Sequence, residues 1–381
     1  MARNTNGKGF SLKDHLFNKR SVMYLGDALA HAYSEFNKVQ FVTQVMQELP
    51  KLELKERIVY MAEILETQLP TDFKKAAKII VSALPESLDP TKTDDDFGTF
   101  IFAPLGEYVV RNGLTKEYLA TSLMTLKEIT QRFSMEDAIR YFINEFPEET
   151  LREMGKWVND PHYHVRRLVS EGTRPLLPWS GRICLSQKDT LPFLSALHTD
   201  TTRYVTRSVA NHMNDISKTE PDLVVATLMQ WAKAGVQDDF EMDWITRHSL
   251  RTLLKQGHTG ALELLGYKSN PKITISNSTI YRTKIKIGET LDISFNITAR
   301  RNEKLMIDYV IDFVKANGKT KPKVFKLKKV VLKKEETIAV AKKHRFLANA
   351  TTFKLYPGTH TLTLQINGQK SNVQKFTVIE Q

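Results

Sequence analysis

Cysteine is almost absent from this chain. Of 381 residues only Cys184 is one, so neither an internal disulfide nor a thiolate zinc cage is available. Long hydrophobic runs are missing too. No segment approaches the apolar length of a membrane span, and the opening MARNTNGKGFSLKDHLF lacks the apolar core of a secretory signal. A soluble, cytoplasmic protein is the expectation. No glycine-rich phosphate loop and no G-x-S-x-G elbow occurs. His162 and His164 stand two residues apart with no third ligand in sight, so neither metal nor cofactor is expected. Hydrophobic residues are not scarce. At 41% they suffice for real cores, and 381 residues suit two domains better than one.

Acidic residues are depleted in one region only. From Lys268 to the end the chain carries 23 Lys and Arg against 8 Asp and Glu, whereas residues 1–267 carry 32 against 35. A basic appendage on a near-neutral body points to a polyanion grip. The densest part, KPKVFKLKKVVLKKEETIAVAKKHR from Lys321 to Arg345, alternates so that several lysines share an outer strand face. Such lysines suit the DNA backbone, although lysines also protect edge strands from aggregation.

Hydrophobic periodicity changes at the same place. Residues 1–267 repeat apolar positions at three- and four-residue steps, as in VQFVTQVMQELPKLELKERIVYMAEILETQL, with breakers such as Pro50, Pro70, Pro85, Gly113, Pro147 and Pro161 between segments. From KSNPKITIS onward the period is two, with turn signals at Gly288, NGK 317–319, PG 357–358 and NG 367–368. The expected architecture is therefore an all-α HEAT-like solenoid over 1–267, then an all-β immunoglobulin-like sandwich of about seven strands over 268–381. A repeat supports the first half. HVRR, YVTR and WITR place Arg167, Arg207 and Arg247 each 40 residues apart, within the range of HEAT-type helix pairs.

The repeats also carry polar stripes at four-residue steps. Tyr163, Arg167 and Glu171 share one side of the first helix, in HVRRLVSEGTRPLLPW, and that side is expected to bury nothing. Arg203, Arg207, Asn211 and Asp215 line up next, then Arg247, Arg251 and Lys255; an earlier stretch, TQRFSMEDAIRYFINEF, offers Arg132, Glu136 and Arg140 on one helix. Each solvated pair would contribute only about 0.3–0.5 kcal/mol, and for one helix that reading suffices. Four neighbouring stripes dominated by arginine suit phosphate binding instead. Three carboxylates among them, Glu136, Glu171 and Asp215, repel phosphate and need another reason.

The blocks VRRLVSEGTRPLLPW, YVTRSVANHMNDISK, WITRHSLRTLLKQGH and FGTFIFAPLGEYVVRNGL resemble the AlkC branch of the AlkC/AlkD DNA glycosylases, in the variant with a C-terminal immunoglobulin-like domain. The resemblance implies a monofunctional enzyme gripping duplex DNA and removing cationic alkylated bases of the 3-methyladenine and 3-methylcytosine class. Glu136, Glu171 and Asp215 match the family's acids near the lesion. Trp179 and Arg174 match its contacts to the damaged or abasic nucleotide. Leu176 stands where a basic residue is implied. N3 alkylation already makes the base a good leaving group, so what the site needs is negative charge near an oxocarbenium-like sugar and a positioned water. Glu136 and Glu171 are assigned that work and Asp215 its support. Arg140, Tyr163, Arg167, Arg207, Arg247 and Arg251 are expected on the DNA side, with a monomer binding alkylated duplex. The rival reading is a non-catalytic HEAT scaffold for nucleic acid or protein.

Overall fold

Capping residues cut the first two thirds of the chain into short helices. Asn18 accepts from the backbone N–H groups of Arg20 and Ser21, Asp72 from those of Lys74 and Lys75, and Ser186 forms a capping box with Asp189. In the computed structural model, which describes residues 11–92, 98–348 and 354–380, the early helices are α1 (Leu12–Leu16), α2 (Lys19–Ala32), α3 (Lys38–Glu48), α4 (Leu54–Glu66), α5 (Phe73–Ala83) and α6 (Ala103–Gly113). They are followed by α7 (Leu119–Thr130), α8 (Ala138–Glu145), α9 (Pro147–Trp157), α10 (Tyr163–Gly172) and α11 (Gln187–Leu197). The last are α12 (Arg203–Ile216), α13 (Pro221–Ala234), α14 (Asp239–Ser249), α15 (Arg251–Gln256) and α16 (Thr259–Leu264). Among the described residues no helix is long and apolar enough to cross a membrane.

Helix α10 is central. It packs against α7, α9, α11 and α12, and nine of its ten residues are buried. Val165, Leu168 and Val169 are fully enclosed, a burial of about 1.5–3 kcal/mol for each side chain. The side carrying Arg167 and Glu171 is enclosed as well, against the expectation that it buries nothing. Four surrounding helices leave no free face, and the polar residues are buried because they pair with one another. Gly172 ends the helix where a Cβ would lie 2.6 Å from Ile139 Cγ2, so α10 approaches α8 closely only with glycine there.

The β region is a two-sheet immunoglobulin-like sandwich. Its strands are β1 (Ile273–Ile280), β2 (Lys284–Lys286), β3 (Thr290–Ala299), β4 (Glu303–Val314), β5 (Thr320–Leu332), β6 (Thr337–Arg345), β7 (Gly358–Ile366) and β8 (Gln369–Ile379). One sheet has the order β1-β3-β6 and the other β2-β8-β7-β4-β5. Eight strands replace the expected seven because the three-residue β2 adds a parallel edge to β8, too short for its alternation to register. Leu291, Ile293, Phe295 and Ile297 of β3 meet Ile307, Tyr309, Ile311 and Phe313 of β4 in the core.

Strand β4 is buried on its second face also, at Met306, Asp308 and Val310. Helical residues of the same compact unit supply partners there. Gln365 Nε2 donates to the Lys255 carbonyl at 3.1 Å, and Lys304 Nζ to that of Leu265 at 2.7 Å. The hairpin turn Asn367–Gly368 has both φ values positive, the I′ geometry that suits Asn-Gly. It sits so close to Gly257 that a Cβ there would lie 2.6 Å from Gly368 Cα. The compact units consequently part elsewhere than the helix-to-strand change: one comprises the residues up to Ile216 with Ala234–His248, the other Ser217–Lys233 with Ser249 onward.

Candidate active site

Five charged side chains from two helices and two connecting segments form one ladder: Glu136, Arg167, Glu171, Arg174, Asp215. Glu136 lies in the turn before α8, Arg167 and Glu171 on α10, Arg174 just beyond it, and Asp215 near the end of α12. Arg167 Nη1 donates to Glu136 Oε2 at 2.8 Å, while its Nη2 stands 3.7 Å from Glu171 Oε2. Arg174 Nη1 donates to Glu171 Oε1 at 2.6 Å, and Arg174 Nε to Asp215 Oδ2 at 2.9 Å. Glu136 and Glu171 thus converge on one guanidinium. Three acids against two bases leave the ladder one negative charge in a protein of net charge +12.

Burial grades the acids. Glu171 and Asp215 are 5% and 4% exposed, whereas the Glu136 side chain keeps 30% of its surface open. Burial pushes the Glu171 carboxyl upward, but Arg167 and Arg174, with hydrogen bonds from Ser208 and Arg174, outweigh it and hold the group below the usual range. Burial likewise disfavours the Arg167 and Arg174 charges, yet the facing carboxylates raise both above the ordinary guanidinium value. Arg167, Glu171 and Arg174 are therefore charged at neutral pH. Beneath Arg167 lies the Tyr204 ring, with its centroid 4.4 Å from the guanidinium carbon. What the arrangement can do chemically is present a fixed carboxylate, Glu136, at a partly open surface, backed by charges that cannot easily reorient.

A family described as "Uncharacterised protein YhaZ, C-terminal Ig-like domain" matches residues 274–380. Over 367 residues the chain is 35% identical to the protein YhaZ of Bacillus subtilis (strain 168), covering 95% of this chain and 98% of that one. The structure of Pseudomonas fluorescens alkylpurine DNA glycosylase AlkC bound to DNA containing an abasic site analog superposes with a TM-score of 0.86 at 31% identity, covering 97% of this chain and 100% of that one. The chain belongs to the AlkC family.

Several residues of this AlkC-family chain lie elsewhere than their spacing suggested. The stretch 130–146 is not one helix: α7 stops at Thr130 and α8 starts at Ala138, with the Thr130 hydroxyl accepting from the Met135 N–H inside the break. Arg132 is spent on the Pro85 carbonyl and on Glu128. Arg140 is 3% exposed and cannot line a DNA surface. Its guanidinium instead donates to the carbonyls of Gly172, Arg174 and Gly181, clamping the loop after α10. Tyr163 is fully buried in an aromatic stack with His162, His164 and Tyr204, which excludes a surface contact. Arg207 is half-buried near the Tyr204 ring, and Arg247 pairs with Asp243 at 2.5 Å, both partly open to solvent. Arg251 opens α15, in the other compact unit from the acids. Trp179 is 73% exposed on the clamped loop with a φ of 65°, a left-handed conformation for a bulky residue.

Helix α12 turns by one residue relative to the expected stripe. Arg203 reaches Glu241 and lies 4.1 Å from the Trp244 ring centroid, so it does not line up beside Asp215. The face toward α10 is Tyr204, Ser208, His212 and Asp215, all buried. Ser208 Oγ donates to Glu171 Oε2 at 2.6 Å, and Ser134 Oγ to Glu136 Oε2 at 2.7 Å. Neither serine was singled out from sequence. Tyr204, Ser208 and His212 recur at four-residue steps just as Arg203, Arg207 and Asn211 do, and spacing alone cannot choose between two such rows.

Proposed function

We propose that the protein is a DNA glycosylase that hydrolyses the N-glycosidic bond of cationic alkylated bases, of the 3-methyladenine and 3-methylcytosine class, in duplex DNA. The observation that carries this reading is the ladder with its residual negative charge ending at the partly open Glu136, in a family with a solved member that is an alkylpurine DNA glycosylase. In the proposed reaction the C1′–N bond breaks with its electron pair leaving on the base, which cancels the base's positive charge. No proton need be given to it. Water adds to C1′ of the oxocarbenium-like sugar and its proton passes to the Glu136 carboxylate. Glu136 is thus the catalytic carboxylate, stabilising the sugar cation and holding the water. Glu171 and Asp215 act through the arginines: with Arg174 they fix the buried end of the ladder, so that Arg167 holds the Glu136 carboxylate in place at the surface.

Trp179 offers an exposed ring face to the lesion or the abasic gap, and the clamped loop sets where it stands. Lysines of β5 and β6 supply backbone contacts that follow salt rather than sequence, and the protein works as a monomer without metal or cofactor. A non-catalytic scaffold is the weaker reading, because a pure polyanion binder would gain by losing Glu136, Glu171 and Asp215.

Incubation with methylated duplex DNA and identification of released bases by mass tests the proposal. Wild-type protein should release N3-alkylated bases. Glu136→Gln should cut release by roughly 100-fold or more, the scale for losing a preorganised charge-stabilising group, while binding to an abasic-site analogue survives. No release by the wild type, or normal release by Glu136→Gln, would refute it.

A further inference from the structure

Two buried hydroxyls stand behind Glu171. Ser170 on α10 and Ser208 on α12 are 0% and 2% exposed, where alanine would pack as well without the cost of enclosing a polar group. Ser208 Oγ lies 2.6 Å from Glu171 Oε2 and 2.7 Å from Ser170 Oγ. A carboxylate only accepts, so the Ser208 proton points at Glu171 and the Ser170 proton at Ser208. One donor polarises the next. The backbone carbonyl of Ser170 is held in turn by His212 Nδ1 at 3.0 Å, which must carry the ring proton because a carbonyl cannot donate. Burial lowers the His212 pKa to about 4, consistent with a neutral ring in that role.

The consequence falls on Arg167. Glu171 Oε2 takes its short hydrogen bond from Ser208, and Arg167 Nη2 is left 3.7 Å away, too far to donate. The guanidinium is free to sit 2.8 Å from Glu136 Oε2. Without the hydroxyl, Glu171 Oε2 would be satisfied most readily by drawing Arg167 inward, away from Glu136. We propose that Ser208, backed by Ser170, is a positioning residue that satisfies Glu171 so that Arg167 stays with Glu136 and presents that carboxylate to the substrate. This rests on the glycosylase reading. The charged and titratable groups facing Glu171 are Arg167 and Arg174 from its own helix and loop, Asp215, His212 and Tyr204 from α12, and Glu136 from the turn before α8.

The test combines nitrogen-15 spectra of the Arg167 guanidinium with the pH dependence of base release in wild type, Ser208→Ala, Ser170→Ala and Ser208→Thr. Transfer of Arg167 from Glu136 to Glu171 changes which carboxylate its Nη groups donate to, so its guanidinium resonances should shift in Ser208→Ala, with a smaller shift in Ser170→Ala. At neutral pH kcat should fall about tenfold in Ser208→Ala with KM unchanged within about twofold, and Ser208→Thr should recover most of it. Arg167 resonances that do not move in Ser208→Ala overturn the proposal, as does a wild-type pH–rate profile in that variant. Should Ser208→Ala fail to fold, Ser170→Ala decides by the same criteria. A wild type that releases no base refutes the glycosylase reading instead, and the Arg167 spectra still judge Ser208.

Discussion

Arg140 gives the sharpest quantitative expectation, because its spacing suggested a phosphate contact and its surroundings make it a loop clamp. Replacing it by Met keeps most of the stem and removes the guanidinium, which makes four hydrogen bonds at 2.6–3.0 Å to three carbonyls. A buried acceptor left without a donor costs about 1–3 kcal/mol. Three of them would cost more than the net effect, since burial also disfavours the guanidinium charge itself, as its lowered pKa records. A loss of about 2–4 kcal/mol follows, near 5–15 °C in melting temperature for a unit of this size. Calorimetry should show that loss, and hydrogen exchange should show residues 173–181 opening. Salt-dependent binding to an abasic duplex supplies the discriminating readout. A phosphate contact would take about one unit off the salt slope, whereas a clamp lowers affinity with the slope intact. A variant of wild-type stability whose slope falls by one would refute the clamp.

Three further expectations concern the acids and the charged surface. Glu171→Gln leaves Arg167 and Arg174 facing a neutral amide in a buried site, so thermal unfolding should report a loss of about 3–5 kcal/mol along with base release; Glu136→Gln, partly exposed, should cost no more than about 1 kcal/mol. Free histidine titrates near 6.5 and His212 near 4, so as pH falls the unfolded chain takes up its proton first. The stability from a neutral His212 is therefore complete above about pH 6.5 and is lost between there and about pH 4, by up to about 3 kcal/mol; denaturant unfolding against pH should show that slope, flattened in His212→Asn. Reversing Lys326, Lys328 and Lys329, all exposed on β5, to Glu should lower the salt slope of DNA binding with base release at saturating enzyme unchanged, and an unaltered slope would remove β5 from the DNA interface.

Much of this was legible in the residues themselves. The switch from a 3.6-residue to a two-residue period separates helices from strands because each period follows from how side chains project. The 40-residue return of Arg167 and Arg207 marks α10 and α12 because stacked helix pairs must bury equivalent faces. What periodicity cannot say is which polar row points inward. On α12 it is Tyr204, Ser208 and His212, decided by the contact with α10 rather than by any local preference. The same blindness placed Arg140 on a surface, since a guanidinium that binds carbonyls and one that binds phosphates occupy identical sequence positions. The break between α7 and α8 is held by the Thr130 side chain and by the N–H groups of Leu88 and Thr99, which donate to the Gln131 and Arg132 carbonyls, contacts that no pattern of apolar residues signals.

The way β4 and β7 are covered limits how this protein can be taken apart. A transplant of the sandwich beginning at Lys268 would strip the Lys255 carbonyl from Gln365 and the Leu265 carbonyl from Lys304, and would set Met306 and Val310 against water. Gly257 and the Asn367–Gly368 turn are shaped to fit each other, so neither makes sense in a fragment that lacks the other. Anyone building chimaeras should keep residues 217–233 and 249–267 with the strands, and should expect a cut at the obvious helix-to-strand seam to yield aggregates.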